Sequence, residues 1–404
     1  MEHRCYVTTA LPLTRPYFLL SQAPREFILM NSSSTHFVTG ATGFVGSGLV
    51  LELLQQTNDP IYCLVREKSG ATAENRLHDL LFDLIDSYRL SAELKHKVLS
   101  HCLIIAGDLT TTPEALVNVE PIDYFWHVAA SLNYEERFKD EIFETNVEGT
   151  RNAIQLATAL NTQHFYYFST AYVAGKSCGT ILESTHEDME NSNVYEESKV
   201  SAELLVSTLK GMNYRIFRPS IVIGQSKTYE AINFTGLYGF IRRLVQFKGI
   251  MNRVQKGYLE NNAIKMFVEE ATSLNLVPVD MVVSQAVKVG LSNADGHIFH
   301  LTNPNVPTVG QVLNVVFDLV GLAPPKLVDS KELFNHIDDQ FNEKIDFYNS
   351  YLVGDKQFDR TTTDSALGIY DHSNFAVTEE NIKHYCAWYL NKLLGQRKTI
   401  PVSR

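Results

Sequence analysis

Tyr195 and Lys199 stand four residues apart in Tyr195-Glu196-Glu197-Ser198-Lys199, which puts both on one face of a helix. An ordinary phenol titrates at about pH 10 and is a poor acid–base group at neutrality. A neighbouring ammonium favours the phenolate, so this spacing predicts a tyrosine whose pKa is lowered for proton transfer. Upstream, Phe168-Ser169-Thr170-Ala171-Tyr172 places hydroxyls after an apolar run, where a bound carbonyl would be held. Together these residues suit acid–base work on a carbonyl group.

A second constellation is Thr39-Gly40-Ala41-Thr42-Gly43-Phe44-Val45-Gly46, a G-x-x-G-x-x-G turn between an apolar strand and a helix. Gly40 permits the tight turn, Gly43 lets the backbone approach a pyrophosphate, and Gly46 lets the helix pack on the strand. Phosphates then sit on the helix N-terminus, where free N–H groups and the dipole favour anions. The residue ending the next strand selects the cofactor. A carboxylate there bonds the ribose 2′-hydroxyl of NAD, and an arginine accepts the 2′-phosphate of NADP. The strand ends Leu64-Val65-Arg66, so Arg66 favours NADP(H) over NAD(H), with Arg76 as a second clamp and a solvated surface arginine as the alternative. Asp108 in Gly107-Asp108-Leu109 is placed to bond the adenine amine. Ala129 and Ala130 leave room for the cofactor. His127 reads equally as a structural histidine or a cofactor contact.

These residues need a scaffold, and the chain supplies one. Thr35–Thr39, Pro60–Val65, Cys102–Ala106, Tyr124–Val128 and Phe165–Phe168 are continuous apolar runs, as expected of parallel strands covered on both faces. Helical periods alternate with them, Leu77, Leu80, Leu81, Leu84, Ile85 and Tyr88 being the plainest. The order implies right-handed crossovers and an α/β, doubly wound parallel sheet of Rossmann type. After Tyr214–Arg218 the pattern loosens, Asn275–Asp280 returning to the sheet and helices following near 308–320, 332–350 and 378–394. The expected division is a cofactor-binding Rossmann domain over 30–225 and a smaller, mostly helical substrate lobe over 226–404, interleaved with the last strands. Residues 1–29 carry three prolines and no clear period. They are expected to be a disordered extension or to precede a natural start at Met30, with a weak targeting peptide as the alternative.

Composition narrows the function. Lys and Arg number 35 against 46 Asp and Glu, a net charge of −11 over 404 residues. That balance argues against nucleic-acid binding, which needs clustered cations. No run approaches the roughly 20 apolar residues of a membrane-spanning helix. The five cysteines are dispersed with no C-x-x-C pair, which favours reduced thiols and a cytoplasmic location. The sequence sets no oligomeric state.

From about residue 35 to 300 the chain resembles an extended short-chain dehydrogenase/reductase. The resemblance rests on the glycine turn, Gly107-Asp108-Leu109, Asn146-Val147-Glu148-Gly149-Thr150, the hydroxyl-bearing strand end, Tyr195 with Lys199, and Arg218-Pro219 with Gly224. Within that superfamily it is most similar to the thioester reductase and fatty acyl-CoA reductase branch, the male-sterility-like one. Cys63–Arg66, His127–Ala130, Ser169–Gly175 and Gly236–Gly239 carry that similarity. The resemblance implies that Thr170 hydrogen-bonds the substrate carbonyl, with Ser169 as runner-up. Tyr195 donates the proton, and Lys199 binds the nicotinamide ribose while depressing the tyrosine pKa. Asn146 supports the helix and a relay water. Thr42, Phe44, Val45, Leu109 and Pro219 join the glycines, Arg66, Arg76, Asp108 and Ala129 as cofactor contacts.

The function implied is NADPH-dependent reduction of an acyl thioester, on CoA or a carrier protein, to an aldehyde, with the alcohol from a second hydride as the alternative product. An epimerase, dehydratase or hydroxysteroid-type dehydrogenase uses the same triad and is the alternative; a non-catalytic NADP(H) sensor is a third. Between Ile241 and Lys265 stand Arg242, Arg243, Lys248, Arg253, Lys256 and Lys265 against Glu260 alone. This is either a docking site for CoA phosphates or an acidic carrier, or a solvated basic helix. Glu183, Glu187, Asp188 and Glu190 are expected to form a solvated lid rather than a metal site, so no metal is assigned. The acidic stretch Asp329–Asp346 is expected to be a helix with one charged face.

Overall fold

The computed structural model describes residues 34–395 apart from 69, 110–118, 120, 187–188 and 369–374. The segment 1–29 and the start at Met30 lie outside the described residues, as do Glu187 and Asp188. β1 (His36–Thr39), β2 (Ile61–Val65), β3 (Cys102–Ala106), β4 (Tyr124–His127) and β5 (His164–Phe168) fall on the five apolar runs. The later strands are β6 (Gly179–Ile181), β7 (Asn213–Pro219), β8 (Ile221–Ile223), β9 (Lys265–Phe267), β10 (Leu276–Pro278), β11 (Ile298–Leu301), β12 (Lys326–Val328) and β13 (Lys356–Phe358).

Seven of these strands form one parallel sheet in the order β3-β2-β1-β4-β5-β7-β11. The chain runs outward from β1 to β3 and then returns to the other side of β1. Strand order therefore reverses between β1 and β4, where a crevice opens beyond the strand C-termini. Both faces are covered. Helix Phe44–Gln56 and helix Val279–Gly290 bury Val50, Leu53, Val283 and Val287 on one side, with Gly48 against the Val279 and Val283 side chains. Ala153, Ala157, Ala202 and Val206 of the helices Gly149–Ala159 and Val194–Ser207 bury Phe37, Phe125, Phe165 and Ile216 on the other. The three phenylalanines stack across β1, β4 and β5, with ring centroids 4.8 and 5.4 Å apart.

Asn275–Asp280 does not rejoin this sheet. β10 pairs with β8 in a separate two-stranded ladder, and helix Val279–Gly290 begins at once behind Pro278. The seventh strand is β11, paired with β7. Its signal is broken by His300, which the fold buries by giving its Nδ1 the carbonyl of Asp359 at 2.6 Å.

The helices expected near 308–320 and 378–394 are Val309–Val320 and Glu379–Leu393. The third divides at Ile345 into His336–Lys344 and Asp346–Leu352. Nor is its acidic face wholly solvated: Asp338 is buried and accepts from the Lys265 and Asn335 amides. The basic stretch is likewise partly internal. Arg242 donates to the Tyr389 hydroxyl, Lys248 caps the carbonyls of Val320 and Gly321 at a helix C-terminus, and Lys265 reaches Leu333 O. Arg243, Arg253 and Lys256 remain exposed.

Glu183 is not part of a solvated lid. Its carboxylate accepts from the amides of His300, Thr362 and Thr363 and from the Thr363 hydroxyl, joining β11 to the first turn of helix Thr361–Leu367. Glu183→Ala strands those donors. It is expected to cost about 2–4 kcal/mol of stability, read as a fall in Tm of several degrees in thermal unfolding.

Candidate active site

A cavity of about 660 Å³ lies over the C-terminal ends of the central strands, within the range of small-molecule sites. On one side it is lined by Gly40, Thr42, Gly43, Phe44, Val45 and Gly46, with Arg66, Asp108, Leu109 and Ala129 beside them. On the other stand Ser169, Thr170, Tyr195, Lys199 and Pro219. The two motifs, some 150 residues apart in sequence, thus share one space.

The glycine turn is close-packed. Gly40 takes φ +73°, and a Cβ there would run into the backbone of Val128 and Ala129. A Cβ on Gly46 would overlap the carbonyl oxygen of Gly40. Gly43 is the N-cap of helix Phe44–Gln56, and no side chain caps that end. The first-turn N–H groups at the cavity wall are therefore available to an anion. With Arg66 exposed at the rim, these residues fit a dinucleotide. Arg76 does not line the cavity; its guanidinium donates to the carbonyl of Arg66 and so braces the residue it was expected to assist.

His127 resolves as structural. It is fully buried, its Nδ1 2.8 Å from the Thr39 hydroxyl and its Nε2 3.0 Å from that of Thr150. Burial and the charge of Lys199 hold its pKa down at about 3, so the ring is neutral. Asn146 is equally committed: its side chain bonds the backbone of Ser131 and, at 2.9 Å, the hydroxyl of Ser198, which donates to Tyr195 O. It lies in a π-turn, Glu144–Glu148, packed on the helix Val194–Ser207. Asn146 thus sets that helix in place rather than facing the cavity.

Helix Val194–Ser207 starts at Asn193, whose side chain accepts from Glu196 N, and it delivers Tyr195 and Lys199 to the cavity on one face. The electrostatics depart from expectation. Lys199 is 2% exposed, and its ammonium donates to the Tyr167 hydroxyl at 3.1 Å and to Phe168 O at 2.8 Å rather than to Tyr195. Burial pulls its pKa down to about 7, partly opposed by Glu203. The Tyr195 phenol is pushed up, not down, by burial and by the neighbouring Glu196 carboxylate. The protein's own residues therefore hold Tyr195 as a protonated acid. Thr170 Oγ1 accepts from Tyr172 N, and Pro219 O lies 3.5 Å away, too far to hold its proton firmly. Ser169 Oγ is buried without a partner at the cavity.

Sequence reasoning missed the far wall. Asn233, Thr235 and Tyr351 come from the helical lobe, and Tyr351 sets its ring edge-on to Tyr172 at 4.6 Å while its hydroxyl reaches Glu196. No local motif marks these residues. Among the described residues no cluster of three or more His, Cys, Asp or Glu side chains converges to hold a metal. The described cysteines Cys63, Cys102, Cys178 and Cys386 are free thiols.

This fold and site define a nicotinamide-dinucleotide-binding domain of Rossmann type. The chain belongs to the male sterility protein family of NAD-binding domains, whose model matches residues 38–286. It is 27% identical over 283 residues to fatty acyl-CoA reductase wat of Drosophila melanogaster, covering 61% of this chain and 52% of that one. Fatty acyl-CoA reductase 1 of Homo sapiens is 29% identical over 293 residues, 62% of this chain and 53% of its own. The chain spans about half the length of these relatives. Its fold is that of a solved thiolation-reductase di-domain from an archaeal non-ribosomal peptide synthetase, with TM-score 0.68, 21% identity and coverage of 90% and 91%.

Gly46→Ala would force the turn open. It is expected to abolish dinucleotide binding in fluorescence titrations with NADPH and NADH and to lower Tm by several degrees.

Proposed function

We propose that this protein reduces acyl thioesters, carried on CoA or on a carrier protein, to aldehydes and then alcohols at the expense of NADPH in the cytoplasm. The observation that carries the reading is the single cavity joining the glycine turn to Tyr195, Lys199 and Thr170. Membership of the male sterility family and the names of its reductase relatives support the thioester as substrate. The lobe end of the cavity adds a discriminating feature. Among its described lining residues the only cations are Arg66 and Lys199, both at the cofactor, so a nucleotide-sugar diphosphate finds no counter-charge beside Leu132, Val222, Asn233, Thr235 and Tyr351. An uncharged acyl chain and its amide-bearing arm suit that surface. No described helix is long and apolar enough to cross a membrane.

The nicotinamide, when bound, supplies the hydride. The chain's residues do the rest. The Phe44–Gln56 N-terminus takes the pyrophosphate, Arg66 takes the 2′-phosphate, and Asp108, Leu109 and Ala129 flank the adenosine half. Thr170 turns its hydroxyl to the thioester carbonyl oxygen, with Ser169 adjacent. Tyr195, protonated because burial and Glu196 raise its pKa, gives its proton to that oxygen as charge develops. As the C–S bond of the hemithioacetal breaks, its hydroxyl returns the proton to the Tyr195 phenolate, leaving the aldehyde, and the departing thiolate takes a proton from solvent. Lys199 supplies positive charge beside the proton donor and the ribose.

Purified protein is expected to consume NADPH with acyl-CoA substrates and release aldehyde or alcohol. Turnover of a nucleotide sugar or sterol in place of thioesters would overturn the reading. Tyr195→Phe is expected to lower kcat by about 10²- to 10⁴-fold. Arg66→Ala is expected to raise KM for NADPH about tenfold and leave that for NADH unchanged. Since Lys199 works as the ammonium and its pKa lies at about 7, kcat is expected to decline as pH rises through that value, with Tyr195 still protonated.

A further inference from the structure

The ammonium of Lys199 is held from beneath by a chain of buried side chains, of which Tyr167, Thr150 and His127 do not line the cavity. Its first acceptor is the hydroxyl of Tyr167 at 3.1 Å, and the ammonium also lies 4.7 Å from the centroid of that ring. Tyr167 is itself buried, and burial together with Glu203 and Tyr195 keeps its phenol protonated. A side-chain hydrogen bond links its hydroxyl to Thr150. Thr150 in turn donates to Asn146 O at 2.6 Å and accepts from His127 Nε2 at 3.0 Å, while His127 Nδ1 accepts from Thr39. Every donor in this line has one acceptor and the neutral histidine fixes the direction. Two of the three ammonium protons are thereby committed, to Tyr167 and to Phe168 O, leaving one for the cavity.

We propose that Tyr167 is a positioning residue, whose hydroxyl, oriented by Thr150 and His127, fixes the Lys199 ammonium at the cavity floor. The proposal rests on the reductase reading for its consequence in turnover, but not for the geometry. Tyr167 occupies β5 one residue before Phe168, so the strand that leads into Ser169 and Thr170 also carries the lysine's seat. The charged and titratable groups around Lys199 are Tyr167 on β5, His127 on β4, Tyr195 and Glu203 on its own helix, and Arg218 of β7, which neutralises Glu203 through a bidentate pair at 2.6 and 2.9 Å. With Glu203 tied to Arg218, the Tyr167 hydroxyl and the Phe168 carbonyl are the close acceptors that favour the ammonium.

Tyr167→Phe keeps the ring and removes only the acceptor. Lys199 is titrated directly by NMR of protein labelled with ¹³C at the lysine ε-carbon, its signal assigned by its loss in Lys199→Arg. The parent midpoint is expected at about 7, and that of Tyr167→Phe about one pH unit lower. In turnover, the alkaline limb of kcat is expected to move down by the same amount, with KM for the thioester little changed. Thr150→Val is expected to shift the midpoint the same way and Thr150→Ser to restore it, which gives the readout should Tyr167→Phe not fold. Unchanged midpoints in Tyr167→Phe, or in Thr150→Val if it alone folds, would overturn the proposal. A parent that turns over no thioester would reject the reductase reading while leaving the NMR titration to decide the role of Tyr167.

Discussion

Burying the ammonium of Lys199 is the constraint around which the site is organised. An ionised side chain taken out of water is costly unless its protons find acceptors. Here β5 supplies two, a backbone carbonyl from Phe168 and a hydroxyl from Tyr167. The remaining polar groups behind the strand follow from that choice. Tyr167 needs Thr150, Thr150 needs Asn146 O, and His127 must stay neutral because a second charge near Lys199 would compound the cost. The result is a lysine whose proton is loosely held near neutrality, next to a tyrosine whose proton is firmly held.

That pairing leaves the tyrosine as the neutral, proton-holding partner and the lysine as the group that titrates near neutrality. Burial and the Glu196 carboxylate hold the phenol in that state. Glu196 is in turn held by Ser192 N, Asn193 and Tyr351, so residue 351 of the helical lobe reaches the neighbour of Tyr195 through one carboxylate.

The lobe is secured by side chains that the sequence makes look solvated. Arg360 is buried and bonds His300 O, Thr302 O and Gln285. Glu183 gathers donors from β11 and from residues 362–363, and Arg218 closes on Glu203. Each of these charges is wholly or partly buried and is met by hydrogen-bonding partners, which is how polar residues survive burial.

What the sequence determined by itself is the local and the periodic. Continuous apolar runs specified β1 to β5 because a central parallel strand buried on both faces needs an apolar side chain at nearly every position, and the edge strand β3 keeps that run although Leu103 and Ala106 are exposed. The glycine turn was legible because only glycine tolerates the backbone approach at Gly40 and Gly46, and Tyr195 and Lys199 because helical spacing alone puts them on one face. The tertiary structure decided everything that depends on distant partners. β11 carries a histidine that becomes acceptable in a strand only once Asp359 arrives beside it, and β10 is diverted to β8 by the helix that starts behind Pro278. The pKa order of Tyr195 and Lys199 reversed the expectation for the same reason. Spacing brings two groups near each other, but burial and the acceptors contributed by another strand fix where their protons reside.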